Sequence, residues 1–309
     1  MKKDLISISD LEKDEVLKIF SLAKDLKNKK FKSKNFLKNK TAVLIFEKPS
    51  LRTRVTFEVG IKQLGGETIY LSQQDILPAK RETISDIAKN LSLWVDLIIY
   101  RSYSHSSVLE IGKYSNVPVI NALSDREHPC QALSDFFTIL EYKKNLKNLK
   151  FSYIGDGNNV CNSLLLVASK LGISLTIATP KGYEPDEEIL NIAKEESKVS
   201  GSRIELIDNP YEAAKGAEII YTDVWVSMGQ EKEERERKKI FRRFQINKDL
   251  LKFASNNCLI MHCLPAHRGE EITDEVLDGK NSIVLKQAEN RLHIQKAIII
   301  YLCKHNLNV

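Results

Sequence analysis

Ser50 to Arg54, within Lys48-Pro49-Ser50-Leu51-Arg52-Thr53-Arg54, place two hydroxyl and two guanidinium side chains in five consecutive residues. They directly follow an apolar stretch, Thr41 to Phe46. A helix starting there and running to about Leu64 would offer its free N–H groups and its dipole to an anion. Arg52 and Arg54 would add the planar forks that match phosphate or carboxylate. The plainer alternative is a capped helix with surface arginines. The run is no P-loop, because it lacks Gly-x4-Gly-Lys. A second cluster, Gly155-Asp156-Gly157-Asn158-Asn159, follows Phe151 to Ile154. Its Gly-x-Gly invites a dinucleotide, but the next glycine position falls at Cys161 or beyond, so the fingerprint is incomplete. Asn158 and Asn159 offer amide donors and acceptors to a polar ligand, or else cap a turn. A third cluster, His262-Cys263-Leu264-Pro265 with His267, could be read as metal ligands. A structural zinc site needs four ligands, and no second Cys/His pair stands at the usual spacing, so no metal is expected. Cys263 could present a thiol to a polar cleft or be a small buried hydrophobe. His128 precedes Pro129, which suits the first turn of a helix.

These clusters need strands to carry them. Apolar, β-branched runs occur at Thr41–Phe46, Thr68–Leu71, Asp96–Tyr100, Val117–Asn121, Phe151–Ile154, Ser174–Ala178, Ile204–Ile207, Glu218–Thr222, Cys258–Met261 and Ser282–Leu285. Their near-continuous apolar character predicts strands buried on both faces of a parallel sheet. Helical patterns lie between them. Ser9 to Lys27 is amphipathic behind a Ser9-x-x-Glu12 capping box. Asn158 to Leu171 ends at Gly172, and Pro129–Lys144 and Gln287–Cys303 are two further long helices. Strand–helix alternation predicts an α/β fold with helices on both sheet faces. Ligands bind outside the carboxyl ends of strands in such sheets. Five polar clusters sit there: after Phe46, at Arg101, at Asp156–Asn159, at Asp223–Gly229 and at His262–Pro265. They come from both halves of the chain, which predicts one cleft between two domains.

The chain has 309 residues, and 42% hydrophobic with 28% charged residues is an ordinary globular balance. That length suggests two domains and excludes a disordered chain or a small disulfide-stapled scaffold. No apolar run approaches the roughly 20 residues of a membrane span. The N-terminal residues carry acids where a signal peptide needs apolar ones. Five cysteines, with no CxxC pair, fit reduced thiols and a cytoplasmic location. The net charge is +6. It is concentrated in residues 24–40, with eight lysines and one aspartate, and in 231–243, with seven basic and four acidic residues. Without a recognition motif, both read as solvated faces and not as nucleic-acid patches. A polar stretch at Tyr142–Leu149 marks the expected domain boundary.

Four motifs together identify a family. They are Phe46 to Arg54, His128-Pro129-Cys130-Gln131-Ala132-Leu133-Ser134-Asp135, Asp223-Val224-Trp225-Val226-Ser227-Met228-Gly229, and His262-Cys263-Leu264-Pro265-Ala266-His267-Arg268-Gly269. In order and spacing the chain resembles the ornithine carbamoyltransferases over about residues 7–305. The first two motifs resemble the wider carbamoyltransferase group, and the last two its ornithine branch. The resemblance implies transfer of a carbamoyl group from carbamoyl phosphate to L-ornithine, giving L-citrulline and phosphate, as in arginine biosynthesis. It implies two doubly wound parallel-sheet domains bridged by two helices, with the active site in the interdomain cleft. Residues 1–145 would bind carbamoyl phosphate, with the C-terminal helix 288–309 packed back on them, and residues 146–287 would bind ornithine. It implies no cofactor, no metal, no nucleic acid or membrane partner, and a homotrimer or a multiple of trimers.

The resemblance also implies roles. Ser50, Leu51 through its backbone, Arg52 and Thr53 would hold the phosphate. Arg101 would bridge phosphate and carbonyl oxygens, while His128 and Gln131 would meet the carbamoyl group. Cys263, the Leu264 carbonyl and Arg291 would complete that site. Asn159, Asp223, Ser227 and the Met228 backbone would bind ornithine, and the loop carrying Ser227-Met228-Gly229 would close over it. Arg52, Arg101, His128, Asp223 and Cys263 would carry the chemistry. Two positions depart from the family pattern. Leu51 replaces the commoner Thr, where the contact is a backbone one. Leu77 replaces a Gln that can reach a neighbouring subunit's carbamoyl phosphate, which weakens the expectation of a shared site. The alternatives are a carbamoyltransferase for another amine and a non-catalytic binding protein of the same fold.

Overall fold

The computed structural model describes residues 2–29, 35–76, 82–143, 146, 149–227 and 229–306. In chain order the elements are α1 (Lys13–Lys27), β1 (Thr41–Phe46), α2 (Leu51–Gln63), β2 (Glu67–Ser72), α3 (Gln73–Ile76), α4 (Ile84–Trp94), β3 (Leu97–Arg101), α5 (His105–Tyr114), β4 (Val119–Leu123) and α6 (Pro129–Tyr142). They continue as β5 (Phe151–Ile154), α7 (Asn159–Leu171), β6 (Leu175–Ala178), α8 (Glu187–Ser200), β7 (Ile204–Ile207), α9 (Pro210–Ala214), β8 (Ile219–Thr222), α10 (Glu234–Phe241), α11 (Lys248–Leu251), β9 (Leu259–His262), α12 (Asp274–Leu277) and α13 (Val284–Asn306). The chain divides into two compact units, Met1–Phe137 with Glu289–Val309, and Thr138–Ala288.

The first unit holds a parallel four-stranded sheet in the order β2-β1-β3-β4. Val43, Ile45, Ile98 and Tyr100 pack with Ile87 and Leu91 of α4 and Val108 of α5. Burying such a side chain stabilises by about 1.5–3 kcal/mol relative to leaving it in water. The second unit holds a parallel five-stranded sheet, β7-β6-β5-β8-β9. Its Ile154, Ile220 and Ile260 pack with Phe244, Ile272 and Val276. Each sheet grows outward from an inner strand and then reverses past it. The reversal lies between β1 and β3 in one sheet and between β5 and β8 in the other. Loops leaving the carboxyl ends of those strands diverge there and open a crevice for a ligand.

The α/β class and the parallel pairing agree with the sequence reading, and β1, β5 and β7 occupy the runs as read. Two expectations are corrected. Ser282 makes only an isolated bridge to Ile260, and Val284 already opens α13. A four-residue apolar run fits a strand or the first turn of a buried helix equally well. The N-terminal helix does not begin at Ser9. Ser7 caps a short 3-10 turn over Ile8–Asp10, and Leu11 then runs extended into the core. The Glu15 carboxylate accepts the Glu12 N–H at 2.8 Å where α1 begins.

Cys130, Cys161, Cys258 and Cys303 are buried, whereas Cys263 is partly exposed. Burial pushes the thiols of Cys130, Cys258 and Cys303 up to about 12, and that of Cys161 upward as well. No helix among the described residues is long and apolar enough to cross a membrane.

Candidate active site

In the first unit the switch point carries the start of α2. Ser50 takes an extended backbone there, and its Oγ accepts the Thr53 N–H at 3.3 Å. That cap leaves the neighbouring N–H groups of the first turn for an anion. Leu51 turns its side chain to solvent, 74% exposed, which fits a role for its backbone alone. Arg52 is half-buried one residue on. Thr53 is buried, and its Oγ1 accepts from Arg291 Nη2 at 2.7 Å, so α13 is tied to the start of α2. Arg101 ends β3 and is buried. Its carbonyl accepts the Glu47 N–H at 2.9 Å, fixing the exits of β1 and β3 together. Glu47 gathers Tyr100 Oη, Ser102 Oγ and the Tyr103 N–H.

His128 precedes α6. Burial, with the Arg291 and Arg101 charges beside it, holds its ring well below the ordinary histidine range. At neutral pH it is therefore an uncharged imidazole, a hydrogen-bonding group and not a cation. Gln131 lies one turn into α6, with its Nε2 donating to Asp135 Oδ1 at 2.8 Å. Its Oε1 is buried and has no hydrogen-bond partner among the described residues. An orphaned buried acceptor is costly unless a ligand supplies the donor. Arg54, which the sequence offered as a second anion ligand, is already engaged along α2 and β2. Its Nε donates to Glu58 Oε1 at 2.9 Å, and its guanidinium lies 3.4 Å over the Tyr70 ring.

In the second unit Asp223 follows β8 at the switch point and is buried. Its Oδ2 accepts from Asn158 Nδ2 at 2.8 Å, and its Oδ1 accepts from Cys263 Sγ at 3.0 Å. Asn158 also caps α7, its Oδ1 accepting the Val160 and Cys161 N–H groups. Gly157 lets this turn approach its neighbour. A Cβ there would sit 2.3 Å from the backbone of Glu184 and Pro185. Asn159 and Ser227 are half-buried, and the Ser227 N–H donates to Gln230 Oε1 at 3.0 Å.

Cys263 follows β9. His262 Nδ1 accepts the Leu264 N–H at 2.8 Å, so its Nε2 donates to Glu271 Oε1 at 3.0 Å. That brace holds Leu264 in the left-handed region (φ 58°), which a branched side chain rarely adopts. Asp223, His262 and Cys263 bring donor atoms within 4.8 Å of one another, as do His267, Glu270 and Glu271. The first set is already satisfied internally by the bonds just given. In the second, Glu271 Oε1 takes His262 and the His267 N–H, and Glu270 Oε1 pairs with Lys238 Nζ at 2.7 Å. Glu270 Oε2 and Glu271 Oε2 are buried without a hydrogen-bond partner among the described residues.

The structure thus gathers Ser50, Thr53, Arg101, His128 and Arg291 in one unit, with Gln131 on the first turn of α6. It gathers Asp223 and Cys263 in the other, beside the turn that carries Asn159. Cys263 and Leu264, expected to complete the phosphate half, belong to the second unit. Met228 and Leu77 lie outside the described residues. Asn158, read in the sequence as a ligand contact or a cap, caps α7 and also reaches Asp223. One polar residue went unassigned. Arg237 lies in the charged stretch 231–243 read as solvated, yet it is 5% exposed. An i,i+4 Glu–Arg pair looks the same on a solvated helix, so no sequence signal set it apart.

With that geometry in view, comparison with known proteins is specific. Residues 3–141 match the model for the aspartate/ornithine carbamoyltransferase carbamoyl-P binding domain, and residues 147–302 the Asp/Orn binding domain. The chain belongs to the aspartate/ornithine carbamoyltransferase family. It is 51% identical over 302 residues to an ornithine carbamoyltransferase of Pyrococcus horikoshii, covering 97% of this chain and 95% of that one. It is 51% identical over 306 residues to that of Methanosarcina acetivorans, covering 98% and 100%. The solved ornithine carbamoyltransferase from Pyrococcus furiosus superposes with a TM-score of 0.93 at 51% identity, covering 96% of each chain. The anabolic enzyme from Campylobacter jejuni superposes with a TM-score of 0.93 at 38% identity, covering 99% and 100%.

Proposed function

We propose that this chain is an ornithine carbamoyltransferase, transferring the carbamoyl group of carbamoyl phosphate to the side-chain amine of L-ornithine to give L-citrulline and phosphate. The observation that carries this reading is the Asn158–Asp223–Cys263 chain, which sets a buried carboxylate beside a thiol at the switch point of the second sheet. A relative at 51% identity over 96% of this chain is named as anabolic, which supports a place in arginine biosynthesis.

The residue types suit the steps. Residues 1–145, with helix 288–309, bind carbamoyl phosphate. Ser50, the Leu51 backbone, Arg52, Thr53 and Arg101 take the phosphate, and Arg291 supports Thr53. His128 donates to the carbamoyl oxygen as a neutral imidazole, and the orphan Gln131 Oε1 accepts from the carbamoyl NH2. Residues 146–287 bind ornithine through Asn159, Asp223, Ser227 and the Met228 backbone. The free amine has a pKa near that of lysine, about 10, so it arrives protonated. Asp223 binds the cation, and Cys263 with Asp223 relays its proton away. The amine nitrogen then attacks the carbamoyl carbon, the C–N bond forms, the C–O bond to phosphate breaks with its electron pair leaving on phosphate, and the proton shed by the newly bonded nitrogen passes to that phosphate. Arg52 and Arg101 face that developing charge, and each such preorganised donor is worth roughly 3–4 kcal/mol. The Leu264 carbonyl accepts from the carbamoyl amide. The chain works in the cytoplasm as a homotrimer or a multiple of trimers, needs no cofactor, and takes small molecules as its partners.

The test is citrulline formation from carbamoyl phosphate with L-ornithine, putrescine, N-acetylornithine and L-aspartate in parallel. Turnover with ornithine alone is expected. Preference for another amine would overturn the roles of Asp223 and Ser227 while leaving the phosphate half intact.

A further inference from the structure

Arg237 joins three segments that the mechanism treats separately. Its Nη1 donates to the Trp225 carbonyl at 3.1 Å and stands 3.3 Å from Asp156 Oδ1. Its Nε donates to Glu233 Oε2 at 3.1 Å, one turn earlier at the start of α10. The guanidinium lies 4.8 Å over the Tyr183 ring, and Phe241 stacks on Trp225 with centroids 6.0 Å apart. Tyr183 is itself fixed to the Asp156 turn, because its carbonyl accepts the Gly157 N–H at 2.9 Å. Trp225 stands midway between Asp223 and Ser227, and Asp156 two residues before Asn158. We propose that Arg237 is a positioning residue for the amino-acid substrate: it locks the Asp223–Ser227 segment to the Asp156–Asn159 turn, so that the two halves of the ornithine-binding surface are held in one register.

The chemistry favours a guanidinium here. Only a planar fork can reach a backbone carbonyl and two carboxylates at once while stacking on an aromatic face. Lysine would keep a charge near Asp156 but lose that spread. Asp156, Asp223 and Glu233 crowd this corner with negative charge, and Arg237 is the cation that offsets it at Asp156. Burial already lifts the Asp156 carboxyl to about 7, so without Arg237 it would take up a proton, the Trp225 carbonyl would lose its donor, and the segment would relax away from its binding position.

This inference rests on the proposed activity, and the experiment separates the two. Wild type and Arg237→Met are assayed with ornithine and with carbamoyl phosphate varied in turn. Failure of wild type to use ornithine would sink the functional reading. Given wild-type turnover, Arg237→Met is expected to raise the ornithine KM about tenfold or more, with the carbamoyl phosphate KM and inorganic phosphate affinity within about twofold. Arg237→Lys is expected to fall between the two. Because a buried arginine can matter to folding, Trp225 fluorescence is read in a Trp94→Phe background, where Trp225 is the remaining tryptophan. Its emission should shift in the Lys variant and return toward wild type on adding ornithine. Unchanged ornithine KM in the Lys variant, equal loss of both substrates, or a fall in kcat alone would overturn the proposal.

Discussion

Gln131 and His128 show neighbours deciding what one side chain can do. Asp135 takes the amide nitrogen of Gln131 and so turns its oxygen outward as an acceptor. Gln131→Met should raise the carbamoyl phosphate KM about five- to tenfold, the worth of one hydrogen bond, with ornithine KM unchanged. A purely structural glutamine would alter both or neither. His128 carries a linkage consequence. Its depressed pKa means the folded chain refuses a proton that the unfolded chain accepts below about 6.5, the ordinary histidine value. Stability from this site is therefore present above pH 6.5 and lost as the pH falls below it. Denaturant titrations of wild type and His128→Gln from pH 7.5 to 5 should show wild type losing more. Parallel curves would contradict the assigned charge state. The polar clusters were legible because phosphate- and amine-binding residue types stood directly after apolar runs. Arg237 was not, because its burial depends on Tyr183 and Asp156, which are distant in sequence.

At the level of elements, the sequence located strands better than starts of helices. β1, β5 and β7 are short, β-branched and flanked by turn residues, so little else could form there. Ser282–Leu285 had the same composition, but the register of α13 claimed it. The capping pattern at Ser9 lost to Ser7 because Leu11 has to reach the core. Gly172 did end α7 as read, with the left-handed backbone (φ 77°) its position needs. Gly157 is the more demanding glycine. Its φ is ordinary, and what it supplies is room, since any Cβ would strike the backbone of Glu184 and Pro185. Gly157→Ala should cost about 1–3 kcal/mol in stability, as overpacking does. It should also weaken ornithine binding by moving Asn158 and Asn159. Thermal melts and ornithine KM would check both, and a variant with wild-type values would show that the turn yields freely.

Across the whole molecule, two sheets built by one rule each present polar residues at the point where strand order reverses. That is why a two-domain α/β chain with polar residues at strand ends could be anticipated from clusters scattered over more than 200 residues, whereas the two substrates came from the family resemblance. The helices crossing the divide, α6 and α13, each carry residues assigned to the first half, Gln131 and Arg291. The same architecture also partitions the thiols. Four are sunk in cores with their acidities suppressed, and Cys263, paired with Asp223, is the one partly exposed thiol of the five. Thiolate, not thiol, reacts with electrophiles, so those four should be inert in the native state. Native protein should take up about one equivalent of a chromogenic disulfide, rising to five once unfolded. Reaction of a second thiol without unfolding would count against the packing described. With that stoichiometry the chain would come with a built-in labelling handle: a single reporter dye placed beside Asp223 with no engineered cysteine.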